Sequence, residues 1–202
     1  MKFLFLDIET VPFKIENEHI KEYLMDKKIS KEARSLDPNY SKIITIGLKV
    51  TNEPTKILSG ENEKELLTKF WDFMKDFVMK HPIYKIVTHN GYKFDIPFIL
   101  IRSYSNGIQI PRETQINTNV YSMKASNHFD TIQFFSFNGN FINPNLDVLC
   151  RMHGIEVPEK RFFGKDVERL YHENNWEIIN EHCKQDVEML EKLFEKVCMP
   201  NA

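Results

Sequence analysis

The chain begins with an uninterrupted apolar run, residues 3–6, that leads directly into two carboxylates, Asp7 and Glu9. Four consecutive apolar residues predict a strand that is buried on both faces. Because side chains alternate along a strand, Asp7 and Glu9 should point the same way at its carboxyl end. Two carboxylates on one face repel each other and need a cation, a proton or a basic neighbour, and a hard divalent metal bound through oxygen meets that need. The alternative is a strand end that runs into a solvated acidic turn.

Length and composition predict one globular domain that spans residues 1–202. The chain has 202 residues, of which 42% are hydrophobic and 28% charged, enough for a sizeable core. The formal net charge is −2, which argues against binding of nucleic acid through an overall basic field. Any hold on a polyanion would have to come from local Lys/Arg patches and metal ions.

The three cysteines, Cys150, Cys183 and Cys198, are widely spaced and form no Cys-x-x-Cys pair. This argues against a disulfide framework or a zinc knuckle and predicts a reducing, intracellular compartment, the cytoplasm. The N-terminus lacks the apolar core and cleavage site of a signal peptide, and no apolar run approaches the length of a membrane span. We therefore expect a soluble protein without membrane association.

The hydrophobic pattern predicts a mixed β-sheet flanked by helices, an α/β fold. Strands are expected at residues 3–6, 42–50, 56–58, 84–88 and within 129–135, the first three as an antiparallel meander. Helices are expected at residues 66–78, 96–101, 145–153, 164–173 and 176–198, with Pro97 in the first turn of its helix. Residues 14–34 predict an exposed helix or excursion, and residues 103–127 a long loop.

Two further carboxylates stand at positions that suggest chemistry. Asp95 follows the predicted strand 84–88 and a turn that contains Asn90, where it would begin a helix. His182 and Asp186 are four residues apart and share one face of the last predicted helix. The alternatives are a helix N-cap for Asp95 and a surface pair for the other two residues.

Taken in order, these three segments resemble the motifs of the DEDD exonuclease superfamily, whose members share a ribonuclease-H-like fold. The similarity is greatest to the proofreading domains of family B DNA polymerases and their stand-alone relatives. The first motif corresponds to Asp7-Ile8-Glu9-Thr10, the second to Asn90-x-x-x-Phe94-Asp95 and the third to His182-x-x-x-Asp186. Residues 145–149, 153–155 and 164–167 look like the helical lead-in to the last motif.

One position departs from this subgroup, which usually has tyrosine four residues before the final aspartate, where this chain has His182. The other branch of the superfamily uses histidine five residues before it, where this chain has Glu181. One helical residue corresponds to about 100° of rotation, so His182 should occupy the direction of the tyrosine. Histidine has an ordinary pKa near physiological pH, so His182 could act as general base; the alternative is that it only packs or orients.

The resemblance implies a 3′–5′ exonuclease that releases nucleoside monophosphates from single-stranded 3′ ends. Asp7, Glu9, Asp95 and Asp186 would hold two divalent ions, Mg²⁺ or Mn²⁺. DNA is the favoured substrate, with a role in repair or replication, and an RNA substrate stays open because the sequence does not indicate how a 2′-hydroxyl would be treated.

The resemblance also implies contacts with the terminal nucleotides. Asn90 and Phe94 would hold them by hydrogen bonding and stacking, and the backbone around Thr10 would approach the 3′-hydroxyl. Core packing is the alternative for Phe94.

A basic and aromatic cluster at residues 160–165 either contacts phosphates or forms a solvated helix entrance; it comprises Lys160, Arg161, Phe162, Phe163 and Lys165. Asp130 and Asp147 fall on no ligand position of the superfamily, and we expect them to be structural.

Two competing functions remain on the same fold. The first is a non-catalytic module that binds nucleic acid or protein, and the second is an endonuclease. The sequence has no glycine-rich phosphate loop, Gly-x-Ser-x-Gly elbow or clustered zinc pattern, which argues against an NTPase, a serine hydrolase or a zinc enzyme. It indicates no particular protein partner.

Overall fold

In the computed structural model, which describes residues 1–117, 126–159 and 164–199, five strands form one mixed sheet in the order β3-β2-β1-β4-β5. The strands are β1 (Lys2–Pro12), β2 (Ser41–Val50), β3 (Lys56–Ser59), β4 (Tyr84–Thr88) and β5 (His128–Asp130). The helices are α1 (Glu18–Asp26), α2 (Lys31–Ser35), α3 (Glu63–Lys80), α4 (Asp95–Ser105), α5 (Thr131–Phe135), α6 (Leu146–Met152), α7 (Val167–His172) and α8 (Trp176–Leu193). Short 3₁₀ turns lie at Arg112–Thr114 and Gly164–Asp166, and a π-turn at Phe194–Cys198 extends α8.

The central strand, β1, has a different neighbour on each edge. It pairs antiparallel with β2, which pairs antiparallel with β3, so the predicted meander is confirmed. On its other edge β1 runs parallel to β4, but that pairing ends at Phe5 and Val87. The pairing with β2 continues to Pro12. The carboxyl half of β1 therefore projects beyond its parallel neighbour and leaves one backbone edge open to other groups.

Successive side chains of β1 pack on opposite faces of the sheet, as the strand periodicity requires. Leu4, Leu6 and Ile8 belong to the core cluster that α3 and α4 cover. Phe5 packs with residues of α8 on the opposite face. Both faces are covered, which explains why the first strand reads as a continuous apolar run.

The last long helix, α8, lies against β1 and β2 through an apolar stripe. Ile179, Cys183, Val187 and Leu190 are all buried and recur at intervals of three or four residues. The stripe runs along one side of the helix, so a residue next to it, such as Asp186, comes to the edge of the contact with the sheet.

Two predicted segments differ from the structure. The strand predicted within residues 129–135 covers only His128–Asp130, and Thr131–Phe135 is helical. The reason is that the Asp130 side chain caps this helix by accepting a hydrogen bond from the Ile132 N–H. The loop predicted at 103–127 is shorter, since α4 continues to Ser105 and a 3₁₀ turn follows.

The predicted excursion at residues 14–34 contains α1 and α2. Pro97 lies in the first turn of α4, as predicted, where its missing N–H has no helical partner to lose. Among the described residues, no helix combines the length and the apolar character that crossing a membrane requires.

Candidate functional site

Asp7 and Glu9 project from β1 toward α8. They are odd-numbered positions of the strand, as is Phe5, whose ring packs among α8 residues. Asp7 is half-buried and Glu9 is buried. The prediction that both carboxylates lie on one face of a strand is therefore confirmed.

A rigid turn between β4 and α4 brings a third carboxylate to the open edge of β1. Asp130, at the end of β5, accepts hydrogen bonds from the N–H groups of Asn90 (2.9 Å) and Tyr92 (3.0 Å). Asn90 adopts a left-handed conformation with φ of 75°, which asparagine tolerates better than most residues. The prediction that Asp130 is structural fits these contacts, because its oxygens are occupied by the turn.

Asp95 is the first residue of α4, and Phe94 occupies the N-cap position without a side-chain capping bond. The N-cap alternative for Asp95 is therefore wrong. The backbone N–H of Ile8, on the edge of β1 that β4 leaves open, lowers the pKa of this carboxyl. One of its oxygens, Oδ1, is buried and has no hydrogen-bond partner among the described residues. Burial, followed by the charge of Asp130, raises the pKa of Asp95 to about 8.

The remaining pair comes from α8, where His182 and Asp186 are one helical turn apart. His182 Nε2 lies 3.6 Å from Glu9 Oε1, and His182 Nδ1 lies 3.9 Å from Asp186 Oδ2. The imidazole is buried between the two carboxylates rather than directed to solvent. Ligand atoms of Glu9, His182 and Asp186 all fall within 4.8 Å of one another.

Burial and mutual repulsion both affect the carboxylates of this group. Burial raises the pKa of Asp7 well above its ordinary value, and the charges of Asp186, Asp95 and Glu9 raise it further. Like charges in a desolvated site favour protonation of one member or the binding of a cation. The site offers carboxylate oxygens, and one of them, Asp95 Oδ1, is buried without a hydrogen-bond partner among the described residues. Mg²⁺ and Mn²⁺ prefer oxygen ligands of this kind, so the residues present fit a divalent ion.

Cys183 was not predicted as part of this site, although it touches Asp7. Its Sγ lies 3.6 Å from Asp7 Oδ2 and 3.7 Å from the Asp7 carbonyl oxygen. The sequence places Cys183 on the same predicted helix as His182 and Asp186. It does not show that the Cys183 thiol faces β1. The pKa of this buried thiol is raised well above its ordinary value by burial and by the nearby carboxylates, so the thiol stays protonated and can donate to Asp7.

The three residues predicted to contact nucleic acid lie around the acidic group. Thr10 is buried and its hydroxyl donates to the Ser35 carbonyl oxygen at 2.7 Å, so its side chain is engaged within the protein. Asn90 lies in the turn described above and is half-buried. Phe94 is half-buried, packs against the core and contacts Phe98 edge-on at 5.3 Å between ring centroids. Phe94 thus combines the predicted core packing with a partly exposed ring.

The basic and aromatic cluster falls mainly outside the described residues. Lys160, Arg161, Phe162 and Phe163 are not among them, and for Lys165 only the backbone is described, in a 3₁₀ turn. The contacts predicted for these residues stay a prediction.

A family model and a sequence relative each match most of this chain. A family model, a predicted 3′-5′ exonuclease related to the exonuclease domain of PolB, matches residues 36–194. The match contains Asp95, His182 and Asp186 and begins after Asp7 and Glu9. An uncharacterized protein of Methanocaldococcus jannaschii is 28% identical over an alignment of 172 positions, and the match covers 81% of this chain and 89% of the relative.

A solved structure has the same fold. The family B DNA polymerase from the hyperthermophilic archaeon Pyrobaculum calidifontis matches with a TM-score of 0.70 and 18% identity, over 97% of this chain. The match covers 24% of the polymerase chain, so this chain spans about a quarter of that protein. The predicted ribonuclease-H-like mixed sheet flanked by helices is confirmed, as is the predicted resemblance to exonucleases of this type.

Proposed function

Because this chain belongs to the family of predicted 3′-5′ exonucleases related to the exonuclease domain of PolB, we propose that it is a metal-dependent 3′–5′ exonuclease that acts on single-stranded ends. The favoured substrate is DNA, in repair or replication, inside a reducing compartment. The observation that carries the proposal is geometric: ligand atoms of Glu9, His182 and Asp186 lie within 4.8 Å of one another, and Asp7 joins Glu9 in a second such group with Cys183.

Asp7, Glu9, Asp95 and Asp186 would hold two Mg²⁺ or Mn²⁺ ions. When bound, the ions would polarise the scissile phosphate and make an attacking water more acidic. Without them an acidic pocket would repel a phosphodiester, so metal dependence is a requirement of the proposal. The products of hydrolysis are a nucleoside 5′-monophosphate and a strand shortened by one nucleotide with a new 3′-hydroxyl.

His182 is the general base in this proposal. Its imidazole lies between Glu9 and Asp186, at 3.6 and 3.9 Å, so a water bound among these acids is within its reach. The imidazole takes the proton from the attacking water as the oxygen bonds to phosphorus. Phe94 stacks on a terminal base and Asn90 donates to the terminal nucleotides. Only the backbone of Thr10 faces the 3′-hydroxyl, because its side chain is bonded to Ser35.

The direct test incubates the purified chain with 5′-labelled single strands of DNA and RNA and Mn²⁺. A descending ladder of products, lost in EDTA and in Asp7→Ala, is the expected result. Asp72→Ala, which removes an exposed carboxylate on α3, is the matched control and should leave the ladder intact. Cleavage of closed circular strands would instead identify an endonuclease.

A non-catalytic binding module is the second candidate, and the position of His182 favours it. A histidine between two carboxylates can partly neutralise them without a metal. In that case His182, which stands where the related exonucleases usually have tyrosine, would hold the two acids together and would take no part in hydrolysis. Comparison of His182→Ala with His182→Tyr separates the two. If His182 is the base, alanine lowers kcat by about 10²–10⁴-fold, and full turnover in the alanine variant would contradict the assignment. Absence of any metal-dependent product from the unmodified chain would support the binding module.

A further inference from the structure

An elongated cleft opens where β1 ends, on the side of α1 and α7. It encloses about 520 Å³ and is lined by Pro12, the three residues that follow it, side chains of α1 and of the α1–α2 connection, and two residues of α7. Pro12 is three residues beyond Glu9 on the same strand, which corresponds to about 10 Å. The cleft therefore begins about one to two nucleotides of extended single strand from the acidic site.

The charge of the cleft is opposite to that of the acidic site. Lys14, Lys21, Lys28 and Arg34 line it, with Glu168 as the one carboxylate among the lining residues that the structure describes. Such a concentration of cations is informative in a chain whose formal net charge is −2. A basic groove beside a metal site is what a polyanionic substrate needs at the phosphates that the metals do not reach.

Two lysines that line the cleft already form ion pairs, but these pairs compete only weakly with a phosphate. Lys14 pairs with Glu16 at 2.9 Å and Lys21 with Glu18 at 2.6 Å, and both glutamates are about three-quarters exposed. Exposed pairs of this kind contribute little free energy because solvent screens the two charges. A phosphate can therefore replace the carboxylate without a large cost.

Apolar side chains line the cleft together with the cations, and we call them its apolar floor. Phe13, Ile15, Leu24, Met25 and Ile29 supply it, and Met25 is 74% exposed. Phe13 is held in place by the Arg102 guanidinium, 4.8 Å from the ring centroid. Alternation of cations with apolar and aromatic surface matches a single strand, which offers a charged backbone and unpaired base faces together.

The backbone of the α1–α2 connection places Lys28 at the rim in a defined conformation. Lys28 has φ of 51°, and the N–H groups of Lys28 and Ile29 donate to the carbonyl oxygens of Met25 and Leu24. This is the Schellman pattern, in which glycine is the usual residue at the left-handed position. A lysine there is strained relative to glycine, so its removal need not harm the fold.

We propose that this cleft is the binding site for the single strand upstream of the 3′ end, with Lys14, Lys21, Lys28 and Arg34 on phosphates and the apolar floor on bases. The inference rests on the proposed function, because it assigns the path of that substrate. It predicts that affinity increases with strand length until the strand fills the cleft.

The test measures binding without turnover, by fluorescence anisotropy of oligodeoxythymidylates of about 4 and about 16 nucleotides. All variants are made in an Asp7→Asn background with Mg²⁺. Lys14→Glu/Lys28→Glu should weaken binding of the longer strand at least tenfold and lower the slope of log K against log salt by about 1.4, since each lost phosphate contact contributes about 0.7. The matched control is Lys75→Glu/Lys80→Glu, which makes the same charge change at exposed positions of α3 and should alter affinity less than twofold.

A second variant separates folding from binding. Lys28→Gly should keep or raise the melting temperature and still weaken strand binding, because it relieves the left-handed backbone while it removes a cation. An abasic strand of equal length and charge should bind more weakly than the normal strand if the floor contacts bases.

The inference is overturned if both charge-reversal pairs weaken binding equally, if neither does, or if affinity does not depend on length. Failure of the proposed function has a different signature, because the unmodified chain would then bind the strand in the cleft but release no nucleotides with Mn²⁺.

Discussion

Gly47→Ala tests how closely α8 must approach the sheet to assemble the acidic group. Gly47 lies opposite Asp7 in the β1–β2 ladder. A Cβ atom at this position would lie 2.9 Å from Cys183 Sγ, 3.0 Å from Val187 Cγ1 and 3.2 Å from the Cys183 carbonyl oxygen. The sulfur and the methyl group can turn away, but the carbonyl belongs to the helix backbone. The helix itself must therefore shift by a few tenths of an ångström.

The expected magnitude follows from these contacts. Ordinary van der Waals contact begins at about 3.4 Å, so the contact with the Cys183 carbonyl oxygen, which only a shift of the helix can relieve, must open by about 0.2 Å. Overpacking of this kind costs about 1–3 kcal/mol of unfolding free energy. A displacement of 1 Å at a catalytic group costs on the order of 10²-fold in rate, so a displacement of about 0.2 Å should cost roughly two- to threefold. His182 and Asp186 move with the helix, and the loss should therefore appear in kcat and in the affinity for Mn²⁺.

The assay combines Mn²⁺-dependent hydrolysis of a labelled single strand with thermal unfolding, with and without Mn²⁺. Gly164→Ala is the matched control, because a Cβ there meets no atom of the described residues within 4 Å and the backbone is not left-handed. Cys183→Ala in the Gly47→Ala background removes the sulfur and should restore part of the lost rate. If folded Gly47→Ala protein keeps full kcat and Mn²⁺ affinity, the close approach of α8 to Gly47 is not what positions His182 and Asp186.

Three further variants test an ion pair, a proposed metal ligand and a buried histidine. Glu63 is buried and accepts a hydrogen bond from Arg102 Nη2 at 2.6 Å. Arg102→Ala removes the cation that pairs with this carboxylate and should lower the unfolding free energy measured in urea by about 3–5 kcal/mol. A loss below about 1 kcal/mol would contradict this. Asp95→Asn should abolish the rise in unfolding free energy that Mn²⁺ gives the unmodified chain, about 2.7 kcal/mol at a hundredfold excess over Kd, and an unchanged rise would exclude Asp95 as a ligand. Burial lowers the pKa of His128 to about 4, so the folded chain loses stability as pH falls from about 6.5 toward 4, where only the unfolded state takes up the proton. In EDTA, His128→Asn should therefore be less destabilising at pH 4.5 than at pH 7, by about 2–3 kcal/mol, and equal destabilisation at both values would show that His128 does not remain neutral.

Local patterns in the sequence were sufficient for most of the elements and for the candidate acids. The apolar run before Asp7 predicted a buried strand because a strand covered on both faces needs apolar residues at consecutive positions. The helical spacing of the apolar residues of α3 and α8 is likewise a local property, and it predicted that His182 and Asp186 share a face. The error at residues 129–135 arose because a β-rich pattern gives no sign that Asp130 caps a helix immediately after it.

The arrangement of the site depends on contacts between residues far apart in the chain, which no local pattern contains. Asp95 reaches β1 because β4 stops pairing at Val87 and leaves the Ile8 N–H available. Cys183 and Gly47 meet because α8 packs directly over the β1–β2 pair, at a separation that a side chain on β2 would prevent. The sequence thus determined which residues could carry charge and in which elements they lie, whereas only the packing of helix on sheet decided how closely those charges approach and how strongly they repel one another.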